Sequence, residues 1–145
     1  MSKLRGFTLI ELLVVIVIVA ILLMVTLPSY QQQLRKTRRS LGKAELMEVM
    51  VRQEQFFLNH RQYAQELTAL GYPASPYAIG TDGNDAPANA AGRIYLIDIS
   101  TTAGSFTLYA IPQLTQSRDA LCGTLSLTSV GVKRATGRGA AVDCW

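Results

Sequence analysis

Residues 12–25 form an unbroken run of aliphatic side chains and one methionine, and Phe7, Leu9, Ile10 and Leu27 extend it at both ends. Wound as a helix at about 1.5 Å per residue, residues 7–27 are roughly 30 Å long, the thickness of bilayer hydrocarbon. A segment with this composition cannot sit in water on its own, so a membrane or other apolar helices must cover it. Basic residues precede the run, as in an export signal, but no small-x-small cleavage site comes after it. The sequence there is Thr26-Leu27-Pro28-Ser29-Tyr30, so the run is expected to stay on the mature chain.

The residues before the run narrow the reading. Met1-Ser2-Lys3-Leu4-Arg5-Gly6 is a short basic leader ending in glycine, and Phe7-Thr8-Leu9-Ile10-Glu11-Leu12 comes next. This segment resembles the class III signal of type IV prepilins, G-F-T-L-I-E-L, and matches it at every position. The resemblance implies cleavage between Gly6 and Phe7 by a membrane prepilin peptidase, and N-methylation of the new Phe7 amine. It divides the chain into a leader, 1–6, a hydrophobic membrane and assembly helix, 7–29, and an exported head, 30–145. The precursor would be a single-pass inner-membrane protein with its head in the periplasm, and the mature chain would end in a cell-surface pilus.

Glu11 carries the only charge inside the apolar segment. A carboxylate at hydrocarbon depth costs about 2.5–3.5 kcal/mol on insertion scales and normally has a partner. The family supplies one, the Phe7 amine of a neighbouring subunit. The other reading is that Glu11 snorkels to the headgroups from near the end of the run. One rule points the other way: Arg35, Lys36, Arg38 and Arg39 stand just beyond the run, and a positive-inside count does not favour export of the C-terminal part of the chain.

Beyond Pro28 the helical pattern resumes. Leu41, Ala44, Met47, Val51 and Leu58 recur at helical steps, which predicts one helix from Phe7 to about Leu58, kinked at Pro28, with this stripe against the core. Lys43, Glu45, Glu48, Arg52, Gln53 and Glu54 are expected mostly on other faces. Residues 71–92 are rich in Pro, Gly, Asn, Asp and Ala and read as a long loop. Residues 93–99 and 105–111 alternate in polarity about a Thr102-Ala103-Gly104 turn, and residues 123–128 read as a third strand ended by Gly131. The fold class is α+β: a long N-terminal helix packed on a small antiparallel sheet, the type IV pilin fold that the resemblance implies.

Cys122 and Cys144 are the chain's two cysteines, and they would pair in an oxidising compartment or stay as buried thiols in a reducing one. The tail, Cys122-Gly123-Thr124-Leu125-Ser126-Leu127 and then Asp143-Cys144-Trp145, resembles the C-terminal loop of PilE-like minor pilins and the related competence pilins. That resemblance implies a Cys122–Cys144 disulfide. Glu48 stands where many major pilins have proline, and the apolar run has no glycine, which turns the resemblance away from a major subunit.

Lys133, Arg134 and Arg138 lie between the two cysteines, with Trp145 just beyond. Cations beside an aromatic ring can hold DNA through phosphates and stacking; the competing reading is an ordinary solvated loop. From residue 31 onward twelve Lys and Arg face nine Asp and Glu, a mild excess that permits an anionic partner without demanding one.

No catalytic constellation, cofactor motif or metal-ligand set is read. His60 is the only histidine and suits a helix end, and Asp82-Gly83-Asn84-Asp85 lacks the ligand spacing of a calcium loop. The expected function is therefore structural. It is a minor pilin that enters or primes a type IV pilus for twitching motility, adhesion or DNA uptake. The partners implied are other pilins, the prepilin peptidase and assembly machinery, and the inner membrane, with DNA as a further candidate. Two readings compete with it, a DNA-receptor head and a type II secretion pseudopilin; the paired C-terminal cysteines favour a pilin over the latter.

Overall fold

The computed structural model describes residues 7–145. The leader, Gly6 included, lies outside them. Contacts divide the chain into two units, one ending at Leu34 and one beginning at Arg35. A single helix, α1 (Leu9–His60), runs through both, and Pro28 lies inside it without ending it.

In the N-terminal unit the large apolar side chains between residues 7 and 27 are 48–83% exposed. Such a helix is long and apolar enough to cross a membrane. Thr8 starts it: the Thr8 hydroxyl accepts the Glu11 N–H at 3.3 Å, and the Thr8 carbonyl accepts the Leu12 N–H. Thr8 and Glu11 therefore have the spacing of a capping box, with the Glu11 carboxylate in the first turn, where it complements the helix dipole.

In the head there are six strands: β1 (Tyr77–Gly80), β2 (Asp85–Ala86), β3 (Arg93–Thr102), β4 (Ser105–Pro112), β5 (Leu125–Thr128) and β6 (Lys133–Ala135). They form one antiparallel sheet in the order β2-β1-β3-β4-β5-β6. Alternation along β4 sends Phe106, Leu108 and Ala110 into the core, and β3 adds Ile94, Tyr95 and Ile97. Leu46 and Val49 of α1 pack on this layer.

The expected loop at 71–92 is corrected. Tyr72, Tyr77, Ala78 and Ile79 are buried, and β1 pairs with β3 on one side and β2 on the other. A four-residue strand buried on both faces shows no polar alternation, so its pattern is silent in sequence. The Thr102–Ser105 hairpin forms as predicted, closed by the two-residue loop Ala103-Gly104.

The predicted helix stripe is also corrected. The buried face of α1 is Arg39, Gly42, Glu45, Leu46, Val49 and Gln53, whereas Met47, Val51 and Leu58 are 44%, 55% and 74% exposed. Periodicity treats Arg, Glu and Gln as outward, but each of these finds a buried partner. The Gln53 amide donates to the Ala64 carbonyl at 2.8 Å and accepts the Ala64 N–H at 2.9 Å. Glu45 accepts the Tyr77 hydroxyl. Arg39 pairs with Asp119 and is buried with it. A fully satisfied polar chain is buried at little net cost, and the helix face rotates accordingly.

Candidate functional site

Cys122 and Cys144 form a disulfide, with Cα atoms 5.5 Å apart and both residues buried. The segment between them is a two-stranded ladder and not a slack loop. β6 pairs with β5, bringing Arg134 opposite Ser126 and Lys133 opposite Leu127. Past β6 the chain keeps bonding back: Thr136 N to Thr124 O, Gly137 N to Cys122 O, Arg138 N to Ala120 O and Gly139 N to Leu121 O, all at 2.7–3.1 Å. Two glycines permit this. Gly131 turns β5 into β6 at φ 81°, and a Cβ on Gly137 would overlap the Leu121 carbonyl.

The base of this ladder is tied to α1. The Arg39 guanidinium reaches both Asp119 carboxylate oxygens at 2.8–3.0 Å, with Arg39 and Asp119 side chains 8% and 3% exposed. Asp119 also receives the Gly123 N–H through its own carbonyl. The Gln116 amide donates to the Tyr95 hydroxyl at 3.1 Å and to the Arg35 carbonyl at 3.2 Å. Arg38 donates to the Thr115 hydroxyl. Of the four basic residues that weighed against export in the charge count, Arg39 is thus buried in an ion pair and Arg38 bonds at the surface of the head.

The structure brings Lys133, Arg134 and Trp145 together. The Lys133 ammonium lies 5.4 Å from the Trp145 ring centroid, a cation–π distance, and the Trp145 indole N–H donates to the Arg134 carbonyl at 2.9 Å. Lys133, Arg134 and Arg138 are all exposed, and none is in an ion pair among the described residues. Arg138 lies further along the same ladder, fixed through its backbone. Partial burial, and then the positive charges of Arg39, Lys133 and Lys36, hold the Lys43 amine below its ordinary value. The helix flank carrying Lys36 and Lys43 therefore shares its field with β6. Sequence reading named both lysines but did not join them to the β6 cations; their seven-residue spacing, two helical turns, was the available signal.

Phe7 is 80% exposed and Glu11 is exposed at the start of α1. His60 ends α1 on the surface, its ring 4.0 Å from Phe56. Asp82 accepts from the Asn84 backbone and side-chain amides and makes a polar turn.

Known proteins resemble this chain along most of its length. Residues 28–126 match the family described as type IV minor pilin ComP, DNA uptake sequence receptor. Residues 1–27 match the prokaryotic N-terminal methylation motif. The first match ends before Lys133, so it does not speak to the basic residues of β6. The type IV major pilin protein PilE1 of Neisseria gonorrhoeae is 34% identical over 79 residues, 50% of this chain and 44% of that one. PilA of Myxococcus xanthus, a type IV major pilin, is 31% identical over 68 residues, 47% of this chain and 31% of its own length. Prepilin peptidase-dependent protein D of Escherichia coli is 64% identical over 36 residues, 25% of each chain. The chain thus spans less than half the length of each of these relatives. A solved type IV pilin from Shewanella oneidensis shares the fold, with TM-score 0.50 and 23% identity over 77% of this chain and 97% of that one.

Proposed function

Because this chain belongs to the family of the type IV minor pilin ComP, we propose that it is a low-abundance subunit of a type IV pilus whose head takes DNA during uptake. The observation that carries the DNA reading is the exposed Lys133 ammonium beside the half-buried Trp145 ring on a disulfide-closed ladder, with Arg134 and Arg138 alongside. A rigid backbone holds these cations without an acidic partner, so phosphates meet charges already in place. Lys133, Arg134 and Arg138 contact phosphates, and the half-buried Trp145 ring, oriented by its bond to the Arg134 carbonyl, holds the Lys133 ammonium beside it. The DNA-receptor reading gains over pseudopilin because the family match is to a DNA uptake sequence receptor.

Assembly proceeds from the other end. Prepilin peptidase cuts after Gly6, Phe7 is N-methylated, and the helix of residues 7–29 holds the subunit in the inner membrane with residues 30–145 in the periplasm. On extrusion, the Phe7 amine of one subunit meets Glu11 of its neighbour and sets the register, in an apolar bundle where an unpaired carboxylate is costly. The chain holds no nucleotide motif, so the pilus machinery supplies the work.

The test is duplex DNA binding by the head, from residue 30 onward, as a function of salt. Lys133→Ala/Arg134→Ala/Arg138→Ala is expected to weaken binding and to reduce the slope of log K against log salt by about 2–3. No binding at low salt by the unmodified head, or equal binding by the triple variant, defeats the DNA reading.

A further inference from the structure

The contacts of α1 run across the sheet in strand order. Glu45 meets Tyr77 of β1, a Cβ on Gly42 would touch the Tyr95 ring of β3 at 3.1 Å, and Arg39 meets Asp119, which leads into β5. The Arg39 edge of the helix is therefore the one nearest β5 and β6. At about 100° per residue, Lys36 and Lys43 project within about 20° of each other, just outside Arg39 and away from Glu45. Lys36 is exposed and Lys43 half-buried, and neither is in an ion pair among the described residues. Both belong with β6 to the unit that begins at Arg35. Burial does most to lower the Lys43 amine, and the charges that add to it are Arg39, Lys133 and Lys36, so the β6 cation lies within electrostatic reach of this flank. The next acid on the flank, Glu54, stands roughly 16 Å beyond Lys43 along the axis and already accepts the Tyr63 hydroxyl.

Cations gathered on one side of a molecule repel one another, and a polyanion laid over them removes that repulsion. We propose that Lys36 and Lys43 form a second line of phosphate contact, so that duplex DNA lies across the head from β6 to α1 instead of on the ladder alone. Their seven-residue step is roughly 10 Å along the helix axis, a span of about three phosphates on one strand. Arg39 does not join them, because Asp119 holds its guanidinium. That buried pair instead fixes the flank against the base of the ladder, so both lines of cations sit on one preorganised surface. The assignment rests on the reading of the head as a DNA receptor and adds to it the elements that the duplex spans.

Its test uses the full chain in non-ionic detergent and a short blunt-ended duplex, with binding followed as a function of salt. Lys36→Gln/Lys43→Gln is expected to lower the slope of log K against log salt by about 2, so its deficit in affinity narrows by roughly tenfold between about 50 and 200 mM salt. Lys36→Gln alone, at an exposed site, is expected to lower the slope by about 1. Lys36→Arg/Lys43→Arg keeps both charges and is expected to bind with the unmodified slope. Arg61→Gln, roughly 27 Å from Lys43 along the helix axis, controls for net charge and is expected to leave the slope unchanged. An unmodified slope in Lys36→Gln/Lys43→Gln, or an equal loss per charge in Arg61→Gln, overturns the inference. If Lys133→Ala/Arg134→Ala/Arg138→Ala still lowers the slope in that case, the DNA reading stands without it. If the unmodified chain binds no DNA at low salt, the underlying reading fails and the inference falls with it.

Discussion

Arg39 and Asp119 form a buried ion pair that ties α1 to the base of the β5–β6 ladder. Three donor–acceptor contacts of 2.8–3.0 Å join two side chains that are 8% and 3% exposed. Asp119→Ala leaves the Arg39 guanidinium buried with no carboxylate, which costs about 3–5 kcal/mol. For a head of roughly 110 residues, at about 5 °C per kcal/mol, the melting temperature falls by about 15–25 °C. The exposed pair Arg52–Glu48 is the control, with side chains 37% and 54% exposed: Glu48→Ala costs no more than ~0.5 kcal/mol. Restoring an uncharged fit with Arg39→Met/Asp119→Leu recovers most of the loss, since the penalty lies in the orphaned charge. Thermal melts of the four soluble heads decide it. If Asp119→Ala costs less than ~1 kcal/mol, or if the double variant is no better than the single, the pair does not anchor the ladder as described.

Three further outcomes are expected from the same structure. Cys144→Ser opens a closure of 22 residues and lowers stability by about 3 kcal/mol, read as a lower denaturant midpoint. Glu45 has its carboxyl raised above the ordinary 4.5, mainly by burial, with Asp85 and Glu48 adding and the Tyr77 hydroxyl and Arg52 opposing. A raised folded value makes its contribution full below 4.5 and lost as pH climbs through the folded value. The melting temperature of the unmodified head should therefore fall relative to Glu45→Gln as pH rises from 4.5 toward neutrality; parallel curves would show that Glu45 does not titrate there. Glu11→Ala should leave the membrane level unchanged and reduce the chain in sheared pili, and normal incorporation removes Glu11 from register setting.

Much of this architecture was legible because long-period signals carry it. The apolar run and the Thr102–Ser105 hairpin announce themselves through length, alternation and turn chemistry, and the Cys122–Cys144 disulfide was read from the family resemblance of the tail. What stayed hidden was burial that contradicts polarity. Glu45, Gln53 and Arg39 face inward because Tyr77, Ala64 and Asp119 meet them, and those partners lie 11 to 80 residues away. A helix-periodicity count has no access to such partners, so it placed the apolar stripe on the wrong side. β1 was missed for a related reason, since a short strand buried on both faces has no alternation to read. At the candidate site, the cations were visible as residues. Their arrangement was not, because it depends on the β6 register and on the backbone ladder from Thr136 to Gly139.

The measurement that bears most directly on the pilus-subunit reading is mass spectrometry of filaments sheared from intact cells, with this chain quantified against the other pilins. The expected result is a trace component whose first residue is N-methylated Phe7. Recovery of the chain only in membranes, or in filaments with residues 1–6 still attached, would contradict it.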